Sequence, residues 1–166
     1  MRFFLLITVI FFFNNLPNAF ANNVVHIDID FLLKESIVGK KILDELNAKN
    51  EDILEKLKKK ENDLNYQKNE IESLSKIISN EEYNKRFSIL KKKIELYNEE
   101  KKTLLKDFEN LKQTELNAFF DTLNSIMADY MEKNSINIIL DKSNIVMANK
   151  NLDISREILK IINQNG

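Results

Sequence analysis

Few residues in this chain could carry chemistry, and their spacing limits what they can do. His26 is the single histidine and lies in Val24-Val25-His26-Ile27-Asp28-Ile29, with Asp30 two residues beyond Asp28. A histidine works as a general base or metal ligand when a nucleophile, an orienting carboxylate or further ligands converge on it. The sequence places no second member of such a set beside His26. Asp28 and Asp30 stand at a step from strand to helix, where a carboxylate is expected to cap a helix starting at Phe31 or Leu32 by accepting from its free amide groups. There are no cysteines, which excludes disulfides, thiolate nucleophiles and thiolate metal sites. With two glycines in all, the chain has no glycine-rich phosphate loop. The expectation is a protein that is not an enzyme and needs no cofactor and no metal.

Charge narrows the partners. The 25 Lys and Arg residues and 26 Asp and Glu residues are interleaved and leave a formal net charge of -1, which gives no nucleic-acid footprint. The runs Lys58-Lys59-Lys60 and Lys91-Lys92-Lys93 have Glu55, Glu61 and Glu95 as neighbours, so they read as solvated helix faces.

The elements that hold these residues begin with a leader. Met1-Arg2 is followed by Phe3 to Phe13, apolar but for Thr8, and then by Asn14-Asn15. A bilayer span takes roughly 20 apolar residues, so this run is too short for one and fits a secretory signal. Ala19-Phe20-Ala21 is the small-residue exit, so residues 1–21 read as a signal peptide cleaved after Ala21.

From Ile37 to Met131 there is no proline and one glycine, Gly39, in a background of Lys, Glu, Leu, Asn and Ile that favours long helix. Leu43, Asn50, Leu57, Leu64, Ile71 and Ile78 recur every seven residues, with Leu46, Ile53, Lys60, Gln67 and Leu74 as companions. Side chains at this spacing share one helix face, which must be buried against another helix. Past Ile78 that phase fails, and a new one takes in Phe87, Leu90, Ile94, Tyr97, Leu104, Phe108 and Leu111. Ser79-Asn80-Glu81-Glu82 at the break is a capping box that can start a new helix. The simplest account is an antiparallel helical hairpin over 39–134 with its tip near 79–82, which sets Lys58-Lys59-Lys60 opposite Glu99-Glu100.

The flanks read as strands. Val25, Ile27 and Ile29 alternate on one face, and Ile136 to Leu140 and Ile145 to Ala148 read as two strands of a β-hairpin. Asp153 is placed to cap a closing helix, Ile154 to Asn163, with Ile154, Ile158, Ile161 and Ile162 on its apolar face. The fold class is thus mainly α with a small three-stranded β body, made of residues 22–38 and 135–166. A body of about 50 residues is marginal alone, so association through its strands is expected. Val25, Ile27, Ile29, Ile138, Leu140, Ile145 and Met147 are the candidate residues for that association.

In this order the chain resembles the Skp/OmpH family of periplasmic chaperones. The resemblance rests on Val25-His26-Ile27-Asp28 leading into Ser36-Ile37-Val38-Gly39-Lys40-Lys41, and on Ile138-Ile139-Leu140-Asp141 followed by Asp153-Ile154-Ser155 and Ile158-Leu159. Valine stands at position 38 where the family has alanine. The resemblance implies a homotrimer whose bodies join their strands in a central β-barrel, with three α hairpins as tentacles around a cavity. It implies a periplasmic, ATP-independent holdase for unfolded outer-membrane β-barrel proteins, in transient contact with the outer-membrane assembly machinery. Familiar members are strongly basic. Here residues 40–79 hold nine basic and nine acidic side chains and residues 80–134 hold ten and eleven, so binding to an anionic membrane surface or lipopolysaccharide loses its electrostatic support.

Tyr66, Ile77, Ile89, Leu96 and Leu105 are apolar residues that the hairpin seam does not use. As lining of such a cavity they are the candidate client-binding residues. The alternative is a structural coiled-coil envelope protein acting as tether or spacer, which the arms alone would equally allow and which client binding discriminates.

Overall fold

The computed structural model describes residues 23–165, so the signal peptide and its cleavage point lie outside the described residues. The elements run β1 (Val24–Ile27), α1 (Ile29–Glu35), α2 (Ile37–Leu74), α3 (Asn80–Asn134), β2 (Ile138–Asp141) and α4 (Ser155–Asn165), with short 3-10 turns at Lys142–Asn144 and Lys150–Leu152.

Each boundary has a local cause. The Asp28 carboxylate accepts from the Phe31 amide at 2.9 Å and so caps α1. That helix starts at Ile29, two or three residues before the Phe31 or Leu32 start expected from the sequence. Ile29 therefore belongs to a helix, and Val25, Ile27 and Ile29 do not share a strand face. Ser36 ends α1 and starts α2, its buried hydroxyl accepting from the Gly39 amide at 3.0 Å. A Cβ at residue 39 would come within 2.0 Å of the Leu33 carbonyl oxygen, so this corner requires glycine. The Ile37 amide, free at the start of α2, donates to Asn163 Oδ1 at 2.9 Å and ties the corner to α4.

α2 and α3 are the two arms of the hairpin. α2 stops at Leu74, and a tight turn leads to Ser79, whose hydroxyl accepts from the Glu82 amide at 3.2 Å and caps α3. Two cross-arm hydrogen bonds fix the register: Lys60 Nζ to Glu100 Oε1 at 2.7 Å and Lys93 Nζ to Gln67 Oε1 at 2.7 Å. Leu46, Ile53, Leu57 and Ile71 are buried on α2, and Leu90, Phe119, Leu123 and Ile126 on α3. Phe87, Ile94 and Leu111, which the sequence places on the seam, stay exposed by 50%, 37% and 38%. The cross-arm register puts Ser73 level with Phe87, Tyr66 with Ile94 and Lys49 with Leu111.

α3 ends at Ser135, which takes the left-handed conformation with φ 53° and lets the Ile136 amide donate back to Met131. The returning chain forms β2, which pairs with β1 in parallel, Val24 opposite Ile138 and Ile27 opposite Asp141. This corrects the expected three-stranded body. The sheet has two strands, the arms form the crossover between them, and Ile145 to Ala148 forms no strand. Asp141 supplies the reason, since its carboxylate accepts from the Ser143 amide and turns the chain into a 3-10 helix instead of a β-hairpin. Ile154, just before α4, and Ile158 and Ile162 on it pack with Ile27, Leu32, Ile42, Leu46, Phe119, Leu123 and Ile126 in one core that includes the root of the arms.

Candidate functional site

The polar residues of the body hold the two chain ends together. The Ser155 hydroxyl accepts from the Asp28 amide at 2.8 Å and donates to the Asp153 carboxylate. The Ile154 amide donates to the His26 carbonyl at 3.0 Å. Lys142 Nζ donates to Asp28 Oδ2 at 3.1 Å. The Phe31 amide, followed by Lys142, holds the Asp28 carboxyl below the usual range. Burial pushes Asp153 up, but the Ser155 hydroxyl and amide, with His26 and Lys142, outweigh it and leave that carboxyl lowered too. His26 is buried, and its Nδ1 has no hydrogen-bond partner. The Ser155 hydroxyl is committed to the Asp28 amide and the Asp153 carboxylate, so these three residues latch the end of β1 to α4 and the hydroxyl donates to Asp153 rather than to His26. Among the described residues no three His, Cys, Asp or Glu side chains cluster as a metal site, and no helix is long and apolar enough to cross a membrane.

A cavity of about 730 Å³ opens beside this latch, lined by His26, Phe31, Lys142, Arg156 and the irregular segment from Ile145 to Ala148. Of the residues expected to carry association, Ile27 is fully buried, and Val25 and Ile29 pack half-buried against the core. They serve the body's own interior. Ile138 and Leu140 face outward from β2, Ile145 is half-buried, and Met147 and Val146 are almost wholly solvent-exposed.

On the arm, Tyr66, Ile77 and Leu96 are 69%, 78% and 65% exposed, and Ile89 and Leu105 are exposed by nearly half. The structure does not gather these five on one surface. Arg86, Lys93 and Glu100 recur every seven residues along the flank marked by the Gln67 and Lys60 hydrogen bonds, and Ile89 and Leu96 lie three residues beyond Arg86 and Lys93. Tyr66, next to Gln67, belongs to the same side, whereas the seven-residue repeat puts Leu105 on the opposite flank. Leu54, missed from the sequence, is also exposed and stands near Leu105 in height. The rule that picks out Leu105, apolar but off the seam, finds Leu54 when applied to the first arm. Ile77 lies in the turn at the tip, and at the start of α3 the rings of Tyr83 and Phe87 stack with centroids 6.1 Å apart.

The model of the family described as Outer membrane protein (OmpH-like) matches residues 23–162. No curated protein matches the chain. Among solved structures, a proposed outer membrane chaperone (OmpH-like) from Caulobacter crescentus superposes with a TM-score of 0.77 at 16% identity, over 87% of this chain and 85% of that one. At that identity the superposition speaks for the fold: a small body carrying a long helical hairpin. The family match spans nearly all of the described chain, which therefore belongs to the OmpH-like outer membrane protein family.

Proposed function

We propose that this chain is an exported periplasmic chaperone, an ATP-independent holdase that keeps unfolded outer-membrane β-barrel proteins from aggregating. One observation carries the reading: large apolar side chains, Tyr66, Ile77 and Leu96 foremost, stand on a long arm uncovered by the partner helix. Such groups offer weak, distributed contacts to an unfolded chain, and weak contacts allow release without a nucleotide. A tether or spacer has no need of them. The OmpH-like family membership supports a chaperone role, and the leader of residues 1–21 supports export.

Three bodies join through their strands into a central barrel, and three arms enclose a cavity for the client. The exposed apolar side chains Ile138, Leu140, Val146 and Met147 on the body support this assembly. The β-rich segment Ile145 to Ala148, irregular in the single chain, supplies a further strand once a neighbour lies beside it. The cage hands its client to the outer-membrane assembly machinery.

The test dilutes a urea-unfolded outer-membrane β-barrel into buffer with the purified mature chain and follows turbidity. A holdase suppresses aggregation in proportion to its concentration; aggregation as fast as without the chain rejects the reading. Light scattering at micromolar concentration tests the cage, with a mass near three chains expected and a mass near one chain removing it.

A further inference from the structure

The exposed apolar residues of the arm fall on two opposite flanks, and the flanks differ in shape. Toward the tip, the flank carrying Ile89, Leu96 and Tyr66 opens into a groove of about 220 Å³ between α2 and α3. Its floor is Ile71 and Leu90, both buried in the seam, and Ile89 forms its wall. Its rim is Gln67, Glu70, Glu82 and Arg86. Arg86 Nε donates to Glu82 at 2.7 Å, and Gln67 accepts from Lys93 Nζ and donates to Asp63, so three carboxylates, Asp63, Glu70 and Glu82, surround the groove against two cations, Arg86 and Lys93. The volume is below the roughly 300 Å³ at which small-molecule pockets begin, and it matches one large side chain.

We propose that this groove is the anchor subsite for an unfolded client. It takes a single large apolar side chain from an extended segment, and the carboxylate-rich rim favours a basic residue next to that side chain. Ile89 and Leu96 continue the contact along the same flank, and the Leu54 and Leu105 flank takes no part in the grip. This inference rests on the holdase reading and adds to it the side of the arm and the kind of segment that is held. An apolar floor with an acidic rim is complementary to a segment that is apolar and basic, and it disfavours one that is apolar and acidic.

Two double variants of the full mature chain test the sidedness. Ile89→Ser with Leu96→Ser alters the grooved flank, and Leu54→Ser with Leu105→Ser alters the other; all four positions are exposed, and circular dichroism checks that both variants fold. With the urea-unfolded β-barrel as probe, the grooved-flank variant should need about five-fold more chaperone for half suppression of aggregation, a cost of about 1 kcal/mol, and the other variant less than about two-fold. Equal losses, or a larger loss from Leu54 and Leu105, overturn the sidedness while leaving the holdase standing. Failure of the unmodified chain to protect rejects the holdase reading instead. Fluorescent peptides of alternating leucine and lysine, or of leucine and glutamate, test the rim. Tighter binding of the lysine peptide that Glu70→Gln weakens supports the charge preference, and equal binding of the two peptides overturns it.

Discussion

The body with the arm root and the middle of the arm follow the same helical pattern yet are packed by different means. At the root, Ile42, Leu46, Phe119, Leu123 and Ile126 meet Leu32, Ile158 and Ile162 from two further helices, and several of these side chains are wholly buried. Between Leu57 and Ile71 on one helix, and between Leu90 and Phe119 on the other, no side chain is fully buried. There the arms meet through Lys60 with Glu100 and Gln67 with Lys93, and the Tyr97 hydroxyl is enclosed without a hydrogen-bond partner. A hairpin has only two layers, so its seam is the sole place to bury anything; the root has a third layer in α1 and α4. Deep burial is concentrated in the body and the arm root, which suits a rigid hub carrying yielding arms.

The sharpest way to break that comparison is a matched truncation. Leu32→Ala, in the body, should cost about 2–5 kcal/mol through the cavity it leaves, whereas Leu96→Ala, on the arm, should fall within about 0.5 kcal/mol. Equal shifts in urea midpoint would erase the distinction.

The corner between α1 and α2 comes next. Gly39→Ala forces a methyl group onto the Leu33 carbonyl, and a loss of about 2–3 kcal/mol is expected in thermal unfolding. A neutral result would mean that the corner relaxes freely.

In the arm, Tyr97→Phe removes a hydroxyl that has lost water and found no partner. The expected outcome is a gain of about 1 kcal/mol with slower amide exchange near residue 97, and a destabilised variant would reveal a hidden partner.

The effect smallest near neutral pH is acid loss in the body. Asp28 and Asp153 have lowered folded values, so their contribution is complete above the ordinary carboxylate range and disappears as pH falls through those values. The body should therefore hold to about pH 4 and weaken below it, as followed by near-ultraviolet circular dichroism. Asp28→Asn should remove part of that acid dependence.

Much of this was legible in the sequence because helices write their contacts at intervals of three and four. The seam through Leu46, Ile53, Leu57 and Ile71, the cap at Ser79 and the pairing of Lys60 with Glu100 all follow from local spacing. The two-stranded parallel sheet did not, since β1 and β2 are more than a hundred residues apart and alternation does not reveal a partner. Ile145 to Ala148 is a short β-rich run, yet the Asp141 turn denies it a neighbour within the chain. The off-seam residues were identifiable as uncovered, but their division between two flanks needed the register set by the cross-arm hydrogen bonds.

Hydrogen exchange on the mature chain, with and without an unfolded outer-membrane β-barrel, addresses the central claim most directly. The account predicts slow exchange in the body and arm root in both states, and protection by the client confined to the arm, strongest around Ile89 and Leu96. Client protection that appears in the body around His26 and Met147 and leaves the arm unchanged would contradict it.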